Sequence, residues 1–150
     1  MTLATLLALR DSKKPLPAAA VVLSPLTDQA QTGESLQTKA AEDPVLSRNL
    51  VSFCASNYLG SGESAQNPLA SPLYGDLHGF PPTILTSGTR DLFLSLTVKV
   101  HRKLRQSGVE AALQVFEALS HAQYTFNPEA PETREVFEEI ARFFDDHMQR

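Results

Sequence analysis

The stretch PTILTSGTRDLFL, residues 82–94, contains a short apolar run that passes through a polar segment into a second apolar run. Its first half has the β-branched, apolar content that is typical of a strand buried in a parallel sheet. Asp91 lies in the polar segment that follows, where open α/β sheets place their functional groups. A helix is predicted next, because apolar residues recur three and four positions apart from Phe93 to Leu104 and Gly108 lies at the expected C-cap.

Two other runs predict buried strands, AAAVVLS at 18–24 and ALQVFEAL at 112–119. The order strand, helix, strand predicts a right-handed, parallel βαβ unit. Helices are also predicted at 1–14, where apolar residues on most faces favour burial on nearly all sides, at 43–60 and at 130–148. The predicted fold class is α/β, with about three parallel strands flanked by helices in a single domain over residues 1–150, and a long helical and loop connection over 25–81.

The composition excludes several classes of function. With 150 residues, 42% hydrophobic and 20% charged, the chain is expected to fold as a globular protein. A formal net charge of -4 argues against a nucleic-acid partner, and no apolar run is long enough to span a membrane. The single cysteine, Cys54, excludes an internal disulfide and fits the reducing cytoplasm or a protein that is indifferent to redox state. The four histidines are scattered, so neither a metal nor another cofactor is predicted.

Asp91 and His121 each follow a predicted strand, so both are expected at the same carboxyl edge of the sheet. An acid there can orient an imidazole, as in a hydrolytic triad. Each residue has a simpler interpretation, because Asp91 can cap the following helix and His121 can be an ordinary loop histidine.

Four further residues are candidates for a site. Cys54 is interpreted as a buried structural thiol rather than a nucleophile, since it lies in a helical pattern. Asp28 is expected to cap the segment after the first strand, with lining of the site as the alternative. Phe80 and Tyr74 are expected to pack in the core or to line a pocket beside the site.

Several segments, in order, resemble one family. AAAVVLSPLTD (18–28), NPLASPLYGDLHGFPPTILTSGTRDLFL (67–94), RQSGVEAALQVFEALSHAQY (105–124) and EEIARFFDDH (138–147) resemble the C-terminal half of the hormone-sensitive-lipase branch of the α/β-hydrolases, bacterial carboxylesterases of short-chain esters. One departure is Asn67, where the family commonly has aspartate. The resemblance implies a partial α/β-hydrolase fold in which Asp91 is the triad acid and His121 the triad base.

The nucleophile of such an enzyme is not found in this sequence. No G-x-S-x-G motif occurs, and the nearest stretches, TGESL at 32–36 and GSGES at 60–64, do not follow a predicted strand. The resemblance places Met1 a few residues beyond the expected serine, so we expect a truncated carboxylester hydrolase with little or no activity, whose small ester substrate requires a serine half. The alternatives are a non-catalytic oligomeric protein derived from a hydrolase, or one half of a split esterase.

The expectation of a partial hydrolase fold also predicts an oligomer. The strand at 18–24 would lie inside the sheet of a complete hydrolase, so one of its edges is unpaired here. Unpaired edges invite pairing with another chain, and we therefore expect a homo-oligomer formed through this edge.

Overall fold

The computed structural model describes residues 1–148 and contains one sheet of three parallel strands in the order β1-β2-β3. The strands are β1 (Ala20–Leu23), β2 (Thr83–Gly88) and β3 (Ala111–Phe116). Strand β2 is central and buried along its whole length, which explains why its sequence is a continuous run rather than an alternation of apolar and polar residues. The three predicted strands are confirmed, each slightly shorter than its apolar run or shifted by a residue.

Five helices surround the sheet in the described chain: α1 (Thr2–Asp11), α2 (Ser35–Thr38), α3 (Arg48–Leu59), α4 (Leu94–Gln106) and α5 (Pro131–Met148). Short 3₁₀ turns lie at Pro72–Tyr74 and Gln123–Thr125. Helix α4 ends two residues before Gly108, whose φ of 74° is the left-handed conformation that follows many helices. The predicted helices are therefore present, and the long connection over 25–81 holds α2 and α3.

The helices form layers on both faces of the sheet. Side chains of α1 and α4, including Leu7 and Val100, share a core with Val22 and Leu85 of the sheet. Helix α5 covers the opposite face, where Ile140 joins a cluster that contains Ile84 of β2. A third cluster joins α2 and α3 to the start of α4.

Helix α1 is buried on one face only, so the expectation of burial on nearly all sides was wrong. Leu3, Leu6 and Leu7 are at most 3% exposed, while Thr5 and Ala8 face solvent. Their spacing of three and four residues is that of a helix with a single packed stripe. Outside that stripe, Ala4 and Leu9 are half-buried, and Ala8 is exposed.

Helix α3 corrects a second expectation. Its buried side chains are Val51 and Ala55, one turn apart, whereas Cys54 is exposed and Phe53 is 67% exposed. The prediction of a buried structural thiol at Cys54 was therefore wrong. The residue lies on the outward face of a helix that packs on α4 through its other face.

Candidate active site

Asp91 lies in the turn that connects β2 to α4, three residues after the strand ends. Its side chain is fully buried. One carboxylate oxygen, Oδ1, accepts a hydrogen bond from the backbone N–H of Phe93 at 2.9 Å, and Oδ2 accepts one from the hydroxyl of Ser87 at 2.8 Å. Asp91 therefore binds the amide of Phe93, which is the N-cap residue of α4, but is not itself the cap of that helix, and one face of its carboxylate is left for a further partner.

That partner is His121, which lies in the loop between β3 and α5. Its Nδ1 is 3.3 Å from Oδ1 of Asp91, and its side chain is 22% exposed. The ring of Phe93 contacts the imidazole edge-on, with ring centres 5.0 Å apart. The structure thus brings together the two residues that the sequence placed at one sheet edge, and Nδ1 faces the acid while Nε2 is left for other chemistry.

The approach of the two loops depends on Gly88, the last residue of β2. A Cβ atom on Gly88 would lie 2.0 Å from the carbonyl oxygen of Leu119, in the loop that carries His121. The backbone N–H of Arg90 donates to that same carbonyl at 3.0 Å. Only glycine permits this contact, because any side chain would push the histidine loop away from the acid.

Two opposing effects determine the protonation of Asp91. Burial by itself raises the pKa of Asp91, since the charged form loses its hydration. Hydrogen bonds from His121, Ser24, the Phe93 amide and Ser87 outweigh burial and leave the pKa of Asp91 below its ordinary value. The carboxylate is therefore ionised at neutral pH, the state in which it can hold an imidazole by its Nδ1–H.

Ser24 and Tyr124 belong to the same cluster and were missed by the sequence analysis. The hydroxyl oxygens of the two residues are 2.8 Å apart, and the backbone N–H of Ala122 donates to Oγ of Ser24 at 3.3 Å. Burial raises the pKa of Tyr124 to about 12, so its hydroxyl keeps its proton. One available signal was the position of Ser24, which directly follows β1 at the carboxyl edge of the sheet.

A cavity of about 560 Å³ opens beside this cluster. Its walls come from the N-terminal end of α1, the carboxyl end of β1, and α3, and both Ser24 and His121 reach it. Most of the lining is apolar, and Tyr58 and Leu69 are at least half exposed there. A substrate in this cavity would meet the imidazole at the end of an apolar surface.

Asp28, Phe80, Tyr74 and Cys54 have different surroundings in the structure. Both carboxylate oxygens of Asp28 accept backbone N–H groups, from Ala30 and Thr32 at 2.8 Å each, so the expected capping role is confirmed. Phe80 packs in the core, where it lies 5.6 Å beneath the Arg10 guanidinium, and neither Phe80 nor Tyr74 lines the cavity. Cys54 does line it.

A second acid and histidine pair lies elsewhere on the surface. Oδ1 of Asp76 is 2.5 Å from Nδ1 of His78, and the two side chains are 64% and 71% exposed. This pair does not line the cavity, so it offers a matched control for Asp91 and His121. Among residues 1–148, no helix is long and apolar enough to cross a membrane, and no three His, Cys, Asp or Glu side chains are grouped as metal ligands.

Comparison with known proteins gives consistent matches. The profile of the family described as “alpha/beta hydrolase fold” matches residues 1–125. An acetyl-hydrolase of Streptomyces hygroscopicus is 32% identical over 143 residues, which cover 95% of this chain and 48% of that protein. An esterase of Acinetobacter venetianus is 27% identical, with 95% and 47% covered. The chain spans about half the length of the curated relatives it matches.

Solved structures show the same relation. The esterase E25 is 42% identical and superposes with a TM-score of 0.87 over 97% of this chain and 45% of its own. An esterase from the bacterial hormone-sensitive lipase family is 39% identical, with a TM-score of 0.92 over 97% of this chain and 48% of its own.

Proposed function

We propose, from the premise that this chain belongs to the α/β-hydrolase fold family, that Asp91 and His121 are the acid and base of a carboxylester hydrolase. Family membership also confirms the fold class and the resemblance inferred from the sequence. The proposed substrate is a small ester, which is supported by relatives named esterase and acetyl-hydrolase. The serine nucleophile and the oxyanion-hole amides would come from polypeptide outside these 150 residues, because the chain contains no G-x-S-x-G motif.

The observation that carries the proposal is the 3.3 Å contact between Asp91 and His121 at the edge of the cavity. With Nδ1–H held by the carboxylate, Nε2 of His121 is the basic nitrogen. It would take the proton of an attacking serine hydroxyl and later return it to the departing alcohol. Asp91 would remain ionised throughout and stabilise the imidazolium that forms between the two transfers.

The free edge of β1 indicates where a serine-bearing segment would bind. A strand that precedes α1 in a right-handed crossover lies parallel to β1 and next to it. The carboxyl end of such a strand would lie beside the cavity, on the side where β1 has no neighbour in the described chain. A serine at that end would therefore approach Nε2 of His121 from across the cavity.

Ester hydrolysis by two proteins tests the proposal. One is the 150-residue chain, and the other is this chain fused behind the part of the Streptomyces acetyl-hydrolase that it does not match. We expect the fused protein to hydrolyse p-nitrophenyl acetate, and His121→Ala and Asp91→Asn each to lower kcat by about a thousandfold or more, because each removes one triad member. The 150-residue chain is expected to show little or no hydrolysis above its own His121→Ala variant.

The surface pair provides the control, since His78→Ala alters a histidine that touches a carboxylate but lies outside the cavity. Its kcat should equal that of the unaltered fusion. The proposal is contradicted if the fused protein folds but does not hydrolyse the ester, or if its hydrolysis is unchanged in His121→Ala. Hydrolysis by the 150-residue chain that is lost in His121→Ala would instead indicate a nucleophile within it, and Cys54→Ala would then test the exposed thiol that shares the cavity.

A second candidate function is a non-catalytic homo-oligomer. It is favoured by the edge of β1 that no strand pairs within residues 1–148, where Leu23 is 37% exposed, and by the apolar surface that continues over α1 and α3. Strand pairing between copies would cover the edge at no cost to the core.

For the cellular location we propose the cytoplasm, because the chain has a single, unpaired and exposed cysteine that a reducing compartment keeps as a thiol. Fractionation of cells that produce the protein checks this location.

A further inference from the structure

The turn that carries Asp91 is held from both sides by one short stretch of the long connection. On one side of the acid, the side chain of Arg90 donates from Nε and Nη2 to the backbone carbonyl of Glu42, at 3.0 and 2.7 Å. On the other side, Oδ2 of Asp43 accepts the backbone N–H of Leu92 at 2.8 Å. The two neighbours of Asp91 in the chain are therefore fixed by two consecutive residues of a distant segment.

Asp43 is a buried acid whose two carboxylate oxygens have different partners. It is 7% exposed, and its Oδ1 accepts the backbone N–H groups of Val45 and Leu46 at 2.8 and 3.1 Å. Those bonds lie within its own segment, whereas Oδ2 binds the amide of Leu92, 49 positions further along the chain. A buried carboxylate is stable only when hydrogen bonds replace its lost hydration, so the bond to Leu92 helps to hold Asp43 in place as well.

The amides of Leu92 and Phe93 join this carboxylate to that of Asp91. The two residues immediately precede α4, and Oδ1 of Asp91 accepts the amide of Phe93 at 2.9 Å. The amide of Leu92 belongs to the planar peptide group that begins at Cα of Asp91, so fixing it also fixes the backbone from which the Asp91 side chain extends. Leu92 is fully buried, and without Asp43 its amide would lose this acceptor in a place that water does not reach.

The segment that holds the acid also walls the cavity. Beyond Asp43 the chain enters α3, whose Cys54 and Tyr58 line the cavity. From α2, the hydroxyl of Ser35 donates to the carbonyl of Leu92 at 2.7 Å, so the connection binds the start of α4 at a further point. The acid is therefore oriented by the same polypeptide that encloses the space beside it.

We propose that Asp43 and Arg90 are positioning residues for the acid. Through the contacts at residues 42–43, they hold the carboxylate of Asp91 facing Nδ1 of His121. Neither residue lines the cavity, so both act through Asp91 and not on a substrate. This inference deepens the proposed function and rests on it for its catalytic meaning, whereas the orientation of the carboxylate is measurable without turnover.

The tautomer of His121 in the 150-residue chain reports that orientation. A carboxylate opposite Nδ1 favours the neutral form with its proton on Nδ1, and ¹⁵N shifts of the imidazole at alkaline pH give the ratio of the two forms. Asp43→Ser keeps a short acceptor for the local amide of Val45 and removes the oxygen that reaches Leu92. We expect the proton to lie mainly on Nδ1 in the parent chain, and the ratio to shift toward Nε2 by about threefold or more in Asp43→Ser, because the hydrogen bond that selects Nδ1–H weakens.

Arg90→Ala should shift the ratio in the same direction, because it releases the carbonyl of Glu42 on the other side of the acid. The matched control is Asp28→Ser. Asp28 is a buried aspartate of the same connection, and its oxygens accept the amides of Ala30 and Thr32, two and four positions along, instead of an amide beside α4. Its tautomer ratio should equal that of the parent chain.

In the fused protein, Asp43→Ser should lower kcat by about tenfold or more and leave KM nearly unchanged, because a displaced acid slows the chemical step without altering the cavity. A kcat equal to that of the unaltered fusion overturns the catalytic part of the inference.

An unchanged tautomer ratio in a folded Asp43→Ser chain overturns the inference, as does an equal shift in Asp28→Ser or a parent chain with its proton mainly on Nε2. If Asp43→Ser does not fold, Arg90→Ala decides alone, and an unchanged ratio there overturns the inference equally. Because the tautomer is measured without an ester, failure here is distinguishable from failure of the hydrolase proposal, which is read from the dependence of hydrolysis on His121.

Discussion

At the scale of single residues, Asp91 couples the site to stability. Its pKa is lowered in the folded chain because the hydrogen bonds that it accepts outweigh burial. A carboxylate with a lowered pKa contributes stability above the pKa of the unfolded chain, near pH 4, and loses it as the pH falls through the folded value. Asp91 therefore stabilises the fold at neutral pH and ceases to do so in acid.

Asp91→Asn tests this dependence. We expect the free energy of unfolding at pH 7 to fall by about 2 kcal/mol, because a buried carboxylate that accepts several hydrogen bonds is replaced by a neutral amide. Below about pH 4 the difference between the two proteins should shrink, since the Asp91 carboxyl then becomes protonated in the unfolded parent chain before it does so in the folded one. Urea unfolding followed by circular dichroism from pH 3 to pH 7 measures both effects.

Asp76→Asn is the control, since Asp76 also touches a histidine but is 64% exposed and its charge is screened by water. Its stability should follow that of the parent chain closely at each pH. A difference between Asp91→Asn and the parent that stayed constant down to pH 3 would contradict the assigned titration.

The residues of the site differ in how well the sequence alone predicts their positions. Asp91 and His121 were predictable because each follows a strand, and parallel strands end at one edge. Ser24 follows a strand too, but its role depends on contacts about a hundred positions away, with Tyr124 and Ala122. No local pattern encodes those contacts, since they arise only when three loops meet.

At the scale of elements, the spacing of apolar residues predicted which segments form helices and strands. It predicted less well which faces of those helices are buried. Strand β2 and helix α4 follow their patterns closely. Helices α1 and α3 carry apolar residues on several faces, and composition alone does not indicate which face is packed. The exposure of Cys54 is one consequence, because the packed stripe of α3 runs through Val51 and Ala55.

Replacement of Gly88 tests the contact between β2 and the loop that carries His121. Gly88→Ala would bring a methyl group within 2.0 Å of the Leu119 carbonyl oxygen, so the loop must move by more than an ångström. We expect a loss of about 3 kcal/mol in the free energy of unfolding, typical of overpacking against rigid backbone. The Asp91–His121 contact should lengthen as well, and chemical-shift changes at His121 would report the movement.

Gly62→Ala is the control for glycine replacement itself. Gly62 has a φ of 108°, and no atom lies within 4 Å of the position that an alanine methyl group would take, so the change costs only backbone strain of about 1 kcal/mol. Equal losses of stability for the two variants would show that the approach of Leu119 is not the cause.

At the scale of the whole molecule, the free edge of β1 is the feature with the largest consequence. The amides of Ala20 and Ser24 donate to carbonyls at Pro82 and Thr86, beside or within β2. Because successive residues of a strand point their backbone groups to opposite sides, those of Val21 and Leu23 point away from the sheet. An unpaired row of this kind recruits another strand, either from a serine-bearing segment or from a second copy.

In the absence of a serine-bearing segment, we expect the 150-residue chain to pair with itself at this edge. Sedimentation velocity at micromolar concentration should show species heavier than the 16.4 kDa monomer. Leu23→Lys places a charge on the edge strand and should shift the population toward monomer, because natural edge strands use lysine to block pairing. Val98→Lys on α4 is matched in exposure, 38% against 37%, and should leave the distribution unchanged. If the parent chain sediments as a monomer, or if the two lysines have equal effects, the chain does not assemble through this edge. The edge would then be available for pairing with the serine-bearing segment.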